Sequence, residues 1–170
     1  MKFLDIASAD AVSGMGEGRC DSVLGMKMLV IGKDINIRKC GDKHADGNMR
    51  TVLIGSAKEL SGMLSASLFG ILISDNTIDK ELIERANEKE LTIFFNASAL
   101  AGESQKERVR RAISMKRLLR YLMHKKSRIA IATFAKSKED LLSSRQLIAL
   151  SKFIGAPEET AKAMISYKIS

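Results

Sequence analysis

Short, nearly continuous apolar runs, each followed by residues with helical spacing, constrain the fold of this chain more than any other feature. Six such runs cover residues 3–6, 28–31, 51–54, 70–73, 91–95 and 128–132. They lack the polar–apolar alternation of strands with one exposed face, which is typical of parallel strands that helices cover on both sides. The sequence therefore predicts repeated βα units and a parallel sheet.

The segments between and after these runs predict the helices. Five helices are expected over residues 57–65, 79–89, 103–126, 138–153 and 158–166. Asp79 is a suitable N-cap for the second of them, while Gly155 marks a helix end and Pro157 the start of the next helix. Residues 8–19 differ, because three glycines that each cost about 1 kcal/mol in a helix interior predict a loop or a short, irregular helix there.

The number of βα units limits the architecture without deciding it. Six or seven such units can close into a (β/α) barrel or lie open as a doubly wound sheet, and periodicity alone does not distinguish the two. A complete eight-fold barrel takes about 250 residues. With 170 residues, any barrel here is a reduced one with short loops and small helices.

Composition bounds the class of protein. A chain of 170 residues, 45% of them hydrophobic, is expected to form one globular domain over residues 1–170 with its own core. Cys20 and Cys40 are too few for a disulfide framework, and the first residues lack the apolar run of a signal peptide. No apolar run is long enough to span a bilayer. We therefore expect a cytoplasmic location and no membrane partner.

The positive charge is concentrated in one segment. The chain carries a formal net charge of +8, and residues 103–126 hold nine Lys or Arg against two Glu. Evenly spread charge usually serves solubility, whereas a concentrated patch attracts polyanions, of which RNA is the commonest in the cytoplasm.

A helical wheel at 100° per residue separates this segment into two faces. One face, within about 40° of Lys106, contains Lys106, Arg110, Arg117, Arg120 and His124. The opposite face contains Ala112, Met115, Leu118, Leu119, Leu122 and Met123. A basic stripe on a rigid helix matches successive phosphates of a nucleic acid. The alternative interpretation is a solvated outer face of a barrel helix.

Other motifs give no catalytic set. Residues 13–18 contain three glycines but neither the Gly-Lys-Ser/Thr of a Walker loop nor a G-x-G-x-x-G fingerprint. The cluster Cys40, Asp42, His44 and Asp46 resembles a ligand set, yet His124 is the only other histidine, so a solvated loop is the stronger interpretation. With two tyrosines and no tryptophan, a base-stacking platform is poorly supported.

The second half of the chain resembles protein component three of archaeal ribonuclease P, the family of the thirty-kilodalton subunit of eukaryotic ribonuclease P and MRP. The segments that carry the resemblance are 91–100, the Arg-rich helix, 128–132, 135–141, 145–150 and 153–155. It covers residues 70–170 well and the first 70 only in strand spacing. One motif departs: where the family has Arg-x-Pro-Arg-Asp, residues 142–146 read Leu-Ser-Ser-Arg-Gln, and only Arg145 remains.

The resemblance implies a fold, a role and partners. The fold would be α/β, a reduced TIM-like (β/α) barrel with mostly parallel strands. The protein would be a noncatalytic subunit that binds ribonuclease P RNA together with a small RRM-like protein subunit, and it would meet precursor tRNA indirectly. The RNA would cut the 5′ end of the tRNA. The protein itself would bind no cofactor or metal, and Mg²⁺ would enter through the RNA of the holoenzyme.

The expected RNA-binding residues combine the basic stripe with cations around it. They are Lys106, Arg110, Arg111, Arg117, Arg120, His124, Lys125, Arg128, Lys136, Lys138 and Arg145. Two other functions stay open: a metal-dependent phosphoesterase, which needs clustered His and Asp ligands at strand ends, and a small-molecule barrel enzyme. Asp5 and Asp75 are the only acids at strand ends that could serve the latter.

Overall fold

The computed structural model describes residues 4–13, 27–31, 35–39, 51–64, 68–100 and 104–166. The strands in this part are β1 (Leu4–Ala7), β2 (Lys27–Val30), β3 (Asn36–Lys39), β4 (Thr51–Gly55), β5 (Leu68–Ile73), β6 (Thr92–Asn96) and β7 (Ile129–Ala132). The helices are α1 (Ala9–Val12), α2 (Ala57–Ser61), α3 (Lys80–Glu88), α4 (Gln105–His124), α5 (Ser144–Phe153) and α6 (Glu158–Met164). Short 3-10 helices, Ser98–Leu100 and Lys138–Asp140, precede α4 and α5.

All strand pairs in this part of the chain are parallel, as predicted. Strands β3 to β7 form a five-stranded sheet in chain order, and β1 pairs with β2 in a second sheet. The five-stranded sheet is open, so the expected TIM-like barrel is not confirmed. Two isolated parallel bridges, Ala7 with Ala135 and Ile31 with Ile35, lie where the two sheets meet.

Strands β4 to β7 bury both of their faces. Side chains of one parity form a core on one side of the strands, with Ile6, Ile35, Val52, Leu72, Phe94, Ala130, Ala132 and Phe134. Their neighbours pack against the helices in a larger core, which includes Leu53, Ile71, Ile93, Phe95 and Ile131. Because both faces are covered, the strands require the nearly continuous apolar runs seen in the sequence.

The helices that follow β4 and β5 begin at capping residues. Ser56 and Glu59 form a capping box at α2. Asp79 accepts a hydrogen bond from the Leu82 amide at α3, and this helix buries Leu82, Ile83 and Ala86 against the sheet. The predicted N-cap and inward face of α3 are therefore confirmed, since the Asp carboxylate satisfies an amide that the first turn leaves without a partner.

Gly70 in β5 allows a close approach between two strands. A Cβ atom at this position would lie 2.5 Å from the Phe94 ring and 2.5 Å from the Thr92 carbonyl oxygen. Only glycine therefore lets the aromatic ring of Phe94 cover β5, where it also meets Phe69 and Phe134 with centroids 5.8 Å apart.

Two elements differ from the sequence-based expectation. Strand β3 was not predicted, because Asn36–Lys39 is polar and only half-buried at the edge of the five-stranded sheet. The helix expected over 138–153 is divided into the 3-10 helix Lys138–Asp140 and α5. The division follows from Ser143, whose side chain accepts from the Gln146 amide and starts α5 anew.

The ends of the described chain agree in part with the predictions. Gly155 follows α5 with φ of +104°, which confirms the predicted helix end. Pro157 is the N-cap of α6 rather than its first residue. Residues 9–12 of the Gly-rich segment form the short helix α1, while its glycines lie outside the described residues. None of the helices in the described ranges is long and apolar enough to cross a membrane.

Candidate nucleic-acid interface

Helix α4 is held in one rotational setting by its buried side. The Ser104 hydroxyl accepts a hydrogen bond from the Glu107 amide and begins the helix. Over 20 residues the helix buries Met115, Leu118, Leu119 and Leu122. Each fully buried side chain of this size contributes about 1.5–3 kcal/mol. The buried row therefore fixes which side chains face solvent.

The opposite side of α4 carries the predicted stripe, here called the basic face. Its residues Lys106, Arg110, Arg117, Arg120 and His124 are all exposed. None of them forms an ion pair with another described residue. Residues 106 and 124 are 18 positions apart, so at 1.5 Å per residue the face is about 27 Å long. The predicted separation of the basic and apolar faces is confirmed, whereas the binding of RNA by these residues stays a prediction.

Two aliphatic side chains interrupt the basic face. They were not among the residues predicted from the sequence. Val109 is 54% exposed and Ile113 is 48% exposed. On the wheel they lie about 60° and 20° from Lys106, so their positions among the cations were available as a signal. Val109 and Ile113 are four residues apart on the helix, so they form one small apolar patch among the cations.

Lys125 and Arg128, at the end of α4 and just before β7, are paired with acids. The Lys125 ammonium lies 2.9 Å from a Glu84 carboxylate oxygen, and this hydrogen bond with the charge of Glu84 raises the pKa of Lys125. The Arg128 guanidinium lies 3.0 Å from a Glu90 carboxylate oxygen and also donates to the Glu90 carbonyl. Lys125 thus connects the end of α4 to α3, and Arg128 connects the start of β7 to the turn after α3. Both ion pairs lower the availability of these cations for phosphates.

The remaining predicted residues lie at the carboxyl ends of the strands rather than on the basic face. Arg111 donates a hydrogen bond to the Ala99 carbonyl oxygen at 3.0 Å. Lys136 and Lys138 follow β7, and Arg145 is in the first turn of α5; all three are exposed. The structure therefore distributes the predicted cations over three places: the basic face, the acid-paired positions Lys125 and Arg128, and this carboxyl-end region.

A cavity of about 430 Å³ opens at the carboxyl ends of the strands. Lys39, Arg111 and Lys136 lie on its wall with Asn96 at the end of β6, and the apolar part of the wall includes Phe134. Sequence reasoning did not find this cavity, because its residues come from seven separate segments. The carboxyl end of a parallel sheet is nevertheless the general place for ligands in α/β folds.

The acids proposed for catalysis have structural surroundings. Asp75 is exposed, and its carboxylate accepts a hydrogen bond from the Thr77 amide. Asp5 is fully buried and accepts hydrogen bonds from the Ile6 amide, the Thr133 amide and the Thr133 hydroxyl at 2.7–2.8 Å. Neither residue lines the cavity.

Asp5 connects the two sheets and has a perturbed charge state. Burial raises the pKa of the Asp5 carboxyl from 3.8 to about 6, although the hydrogen bonds from Thr133 and Ile6 act in the opposite direction. The residue holds β1 against the chain that follows β7. We therefore interpret Asp5 as a structural acid.

Within the described ranges, no group of three or more His, Cys, Asp or Glu side chains could hold a metal ion. The Cys40, Asp42, His44 and Asp46 cluster lies outside the described residues.

Comparisons with known proteins give a fold relationship. No family model matches the chain, and no curated protein matches it. Among solved structures, a chain in "cryo-EM structure of archaeal Ribonuclease P with mature tRNA" is similar, with a TM-score of 0.69 and 13% sequence identity. The match covers 95% of this chain and 86% of that chain. The protein therefore shares its fold with a chain of that archaeal complex over 95% of its own length.

Proposed function

We propose that this protein is a noncatalytic, RNA-binding subunit of ribonuclease P that supports the catalytic RNA in 5′ maturation of precursor tRNA. The observation that carries the proposal is the basic face of α4, with five exposed basic side chains on one rigid helix. The shared fold with a chain of an archaeal ribonuclease P structure supports this choice of complex. The sequence resemblance to component three supports the choice of subunit.

The basic face suits contact with an RNA backbone. Arg side chains present planar forks of N–H donors to phosphate oxygens, and each neutralised phosphate releases counterions. A rigid helix keeps the spacing of these cations constant, so the contact reads backbone shape more than base sequence. The cations Lys136, Lys138 and Arg145 would extend the RNA contact beyond α4, while the paired Lys125 and Arg128 would contribute less.

We also propose that the two sheets form one reduced barrel. Strand order supports this, because the bridge between Ala7 and Ala135 connects β1 to the chain after β7, and the bridge between Ile31 and Ile35 connects β2 to β3. The hydrogen bonds between Asp5 and Thr133 strengthen the first of these junctions. Side chains from β1 and β3 to β7 meet in a single apolar core on the inside of this arrangement.

The proposed partners are the ribonuclease P RNA and a small RRM-like protein subunit. Val109 and Ile113 support a protein contact on α4, since the buried centre of a protein interface is more apolar than its rim, whereas phosphates are contacted by basic and polar groups. Precursor tRNA would be an indirect partner, bound through the ribonuclease P RNA. Mg²⁺ would likewise be held by the RNA, which supplies the hydrolytic chemistry.

Replacement of Arg110, Arg117 and Arg120 by Ala tests the RNA contact. Each single change should weaken binding to an archaeal ribonuclease P RNA by about 1 kcal/mol, with little dependence on sequence. The triple change should lower the slope of log affinity against log salt by about two to three. Filter binding or fluorescence anisotropy over a salt series measures both quantities.

A matched control removes the same charge elsewhere. Lys58, Lys80 and Lys89 are exposed on or beside α2 and α3, so their triple replacement by Ala loses three charges without touching α4. This variant should retain most of the salt slope. Equal losses in the two triple variants would show that only net charge matters, and an unchanged slope in a folded α4 variant would contradict the proposal.

A further inference from the structure

The cavity at the carboxyl ends of the strands is not used by the RNA contact on α4. Its volume of about 430 Å³ lies within the range of small-molecule sites, which is about 300–1,000 Å³. Most of its wall is apolar, and a few polar side chains converge on it. This combination is typical of a ligand site rather than of a packing defect.

The positively charged side chains on the cavity wall determine which sign of charge the ligand carries. Lys39, Arg111 and Lys136 lie on the wall, and none of the described residues that line it is acidic. Cations on a concave, low-dielectric surface raise the local positive potential. The ligand therefore carries a negative group, and a phosphate matches both the Arg fork and the Lys ammonium groups.

The wall also holds an aromatic side chain in an unusual backbone conformation. Phe134 has φ of +47°, a conformation that is costly for a residue with a Cβ and persists only where the surrounding structure enforces it. The neighbours do so here: Thr133 is bound to Asp5, and Ala135 is bridged to Ala7. The Phe134 ring packs edge-on against Phe94 and is mostly buried, and the residue forms part of the apolar cavity wall.

Asn96 supplies an unused hydrogen-bonding group. It lies at the end of β6 on the cavity wall, and its buried Oδ1 has no hydrogen-bond partner. A buried acceptor without a partner is unfavourable, so a donor that reaches it is stabilised. The terminal torsion of an Asn side chain is soft, so a small rotation presents this oxygen to an N–H donor of a ligand.

We propose that this cavity binds one nucleotide unit. The phosphate would lie near Lys136 and Arg111, the base would lie on the apolar wall beside Phe134, and an amino group of the base would donate to Asn96. An adenine or a cytosine has such an amino group. A free nucleoside monophosphate and an unpaired nucleotide of a bound RNA share this chemistry, because proteins that read unpaired RNA bases use the same stacking and edge contacts.

The first experiment measures binding of AMP to the full chain by isothermal titration calorimetry. AMP should bind with saturation, and adenosine or inorganic phosphate alone should bind at least about tenfold more weakly, which corresponds to 1.4 kcal/mol. Equal binding of inorganic phosphate and AMP would overturn the nucleotide assignment. The absence of saturable AMP binding would overturn the proposal as a whole.

Matched charge reversals locate the site. Lys136→Glu should weaken AMP binding by about tenfold or more, because an attraction to the phosphate becomes a repulsion. Lys138→Glu is the control, since Lys138 is exposed two residues further on and does not line the cavity; it should change AMP affinity by less than about twofold. Equal effects of the two variants would contradict binding in the cavity.

A competition experiment distinguishes the two sources of the nucleotide. If an RNA supplies it, excess AMP should weaken binding of an archaeal ribonuclease P RNA. If the free nucleotide is the ligand, excess AMP should leave the affinity for the RNA unchanged. Either result is consistent with a nucleotide site in the cavity. Replacement of Arg110, Arg117 and Arg120 should leave AMP affinity unchanged, so failure of the cavity proposal and failure of the RNA-subunit proposal give different results.

Discussion

At the scale of single residues, Asp5 is a buried carboxyl group that forms structural hydrogen bonds, although burial disfavours its charged form. Its two oxygens accept three hydrogen bonds, and the two from Thr133 join β1 to the chain after β7. Burial nevertheless raises its pKa to about 6. The folded state therefore binds the proton more tightly than the unfolded state, whose carboxyl has the ordinary value of 3.8.

This shift predicts the direction of a pH dependence. The contribution of Asp5 to stability is fully present below about pH 4 and is lost as the pH rises through about 6, because the ionised form is then buried. Asn can accept from both amides and donate to the Thr133 hydroxyl. Asp5→Asn should therefore match the original protein near pH 4 and exceed its free energy of unfolding by about 3 kcal/mol at pH 7.5.

Urea unfolding between pH 4 and 7.5 measures this difference. Asp75→Asn serves as the control, since Asp75 is exposed, and its difference from the original protein should stay nearly constant over this range. A difference for Asp5→Asn that does not change with pH would show that Asp5 stays ionised in the folded protein at all of these pH values.

At the scale of elements, helix α4 ends in a motif whose positive-φ position is occupied by Lys126 rather than by glycine. The Ser127 amide donates to the Leu122 carbonyl, and the Lys126 amide donates to the Met123 carbonyl, which is the hydrogen-bond pattern of a Schellman motif. The motif requires a positive φ at Lys126, which is +54°. Helix α5 ends with the same pattern but has Gly155 at this position.

Lys126→Gly should raise the free energy of unfolding by about 1 kcal/mol, because glycine adopts a positive φ without the clash of a Cβ. Lys126→Ala removes the same charge but keeps the Cβ, and it should give no such gain. Thermal or urea unfolding of the two variants provides the measurement. A gain of equal size in both variants would instead assign the effect to relief of charge repulsion within the Arg-rich helix.

At the scale of the whole molecule, the sequence predicts what depends on neighbours in the chain. The βα order follows from apolar runs, and the buried row of α4 follows from the spacing of Met115, Leu118 and Leu122. Long-range pairings leave no such pattern. The ion pair of Lys125 with Glu84 joins residues 41 positions apart, and β3 is recognisable as a strand only beside β4. The cavity likewise exists only once the sheet is assembled.

In the subunit proposal, the protein acts on precursor tRNA only as a member of a complex. The isolated protein should not cleave precursor tRNA with Mg²⁺, whereas its addition to an archaeal ribonuclease P RNA and the small RRM-like subunit should increase cleavage at the 5′ end. The physical reason is that metal-dependent hydrolysis requires several converging ligands, and in the subunit proposal the RNA supplies them. Gel analysis of labelled precursor tRNA measures both reactions.

Catalysis by the protein alone would need a defined set of catalytic side chains. Substitution of those side chains would therefore abolish any cleavage by the isolated protein. Cleavage by nuclease-free protein that is abolished in His44→Ala, Asp75→Asn or Asp5→Asn would support a phosphoesterase and contradict the subunit proposal. Copurification from the native source provides an independent readout of the complex: sequencing should recover an RNA with the fold of a ribonuclease P RNA. Loss of that RNA in the Arg110, Arg117 and Arg120 variant would connect the assembly to the basic face of α4.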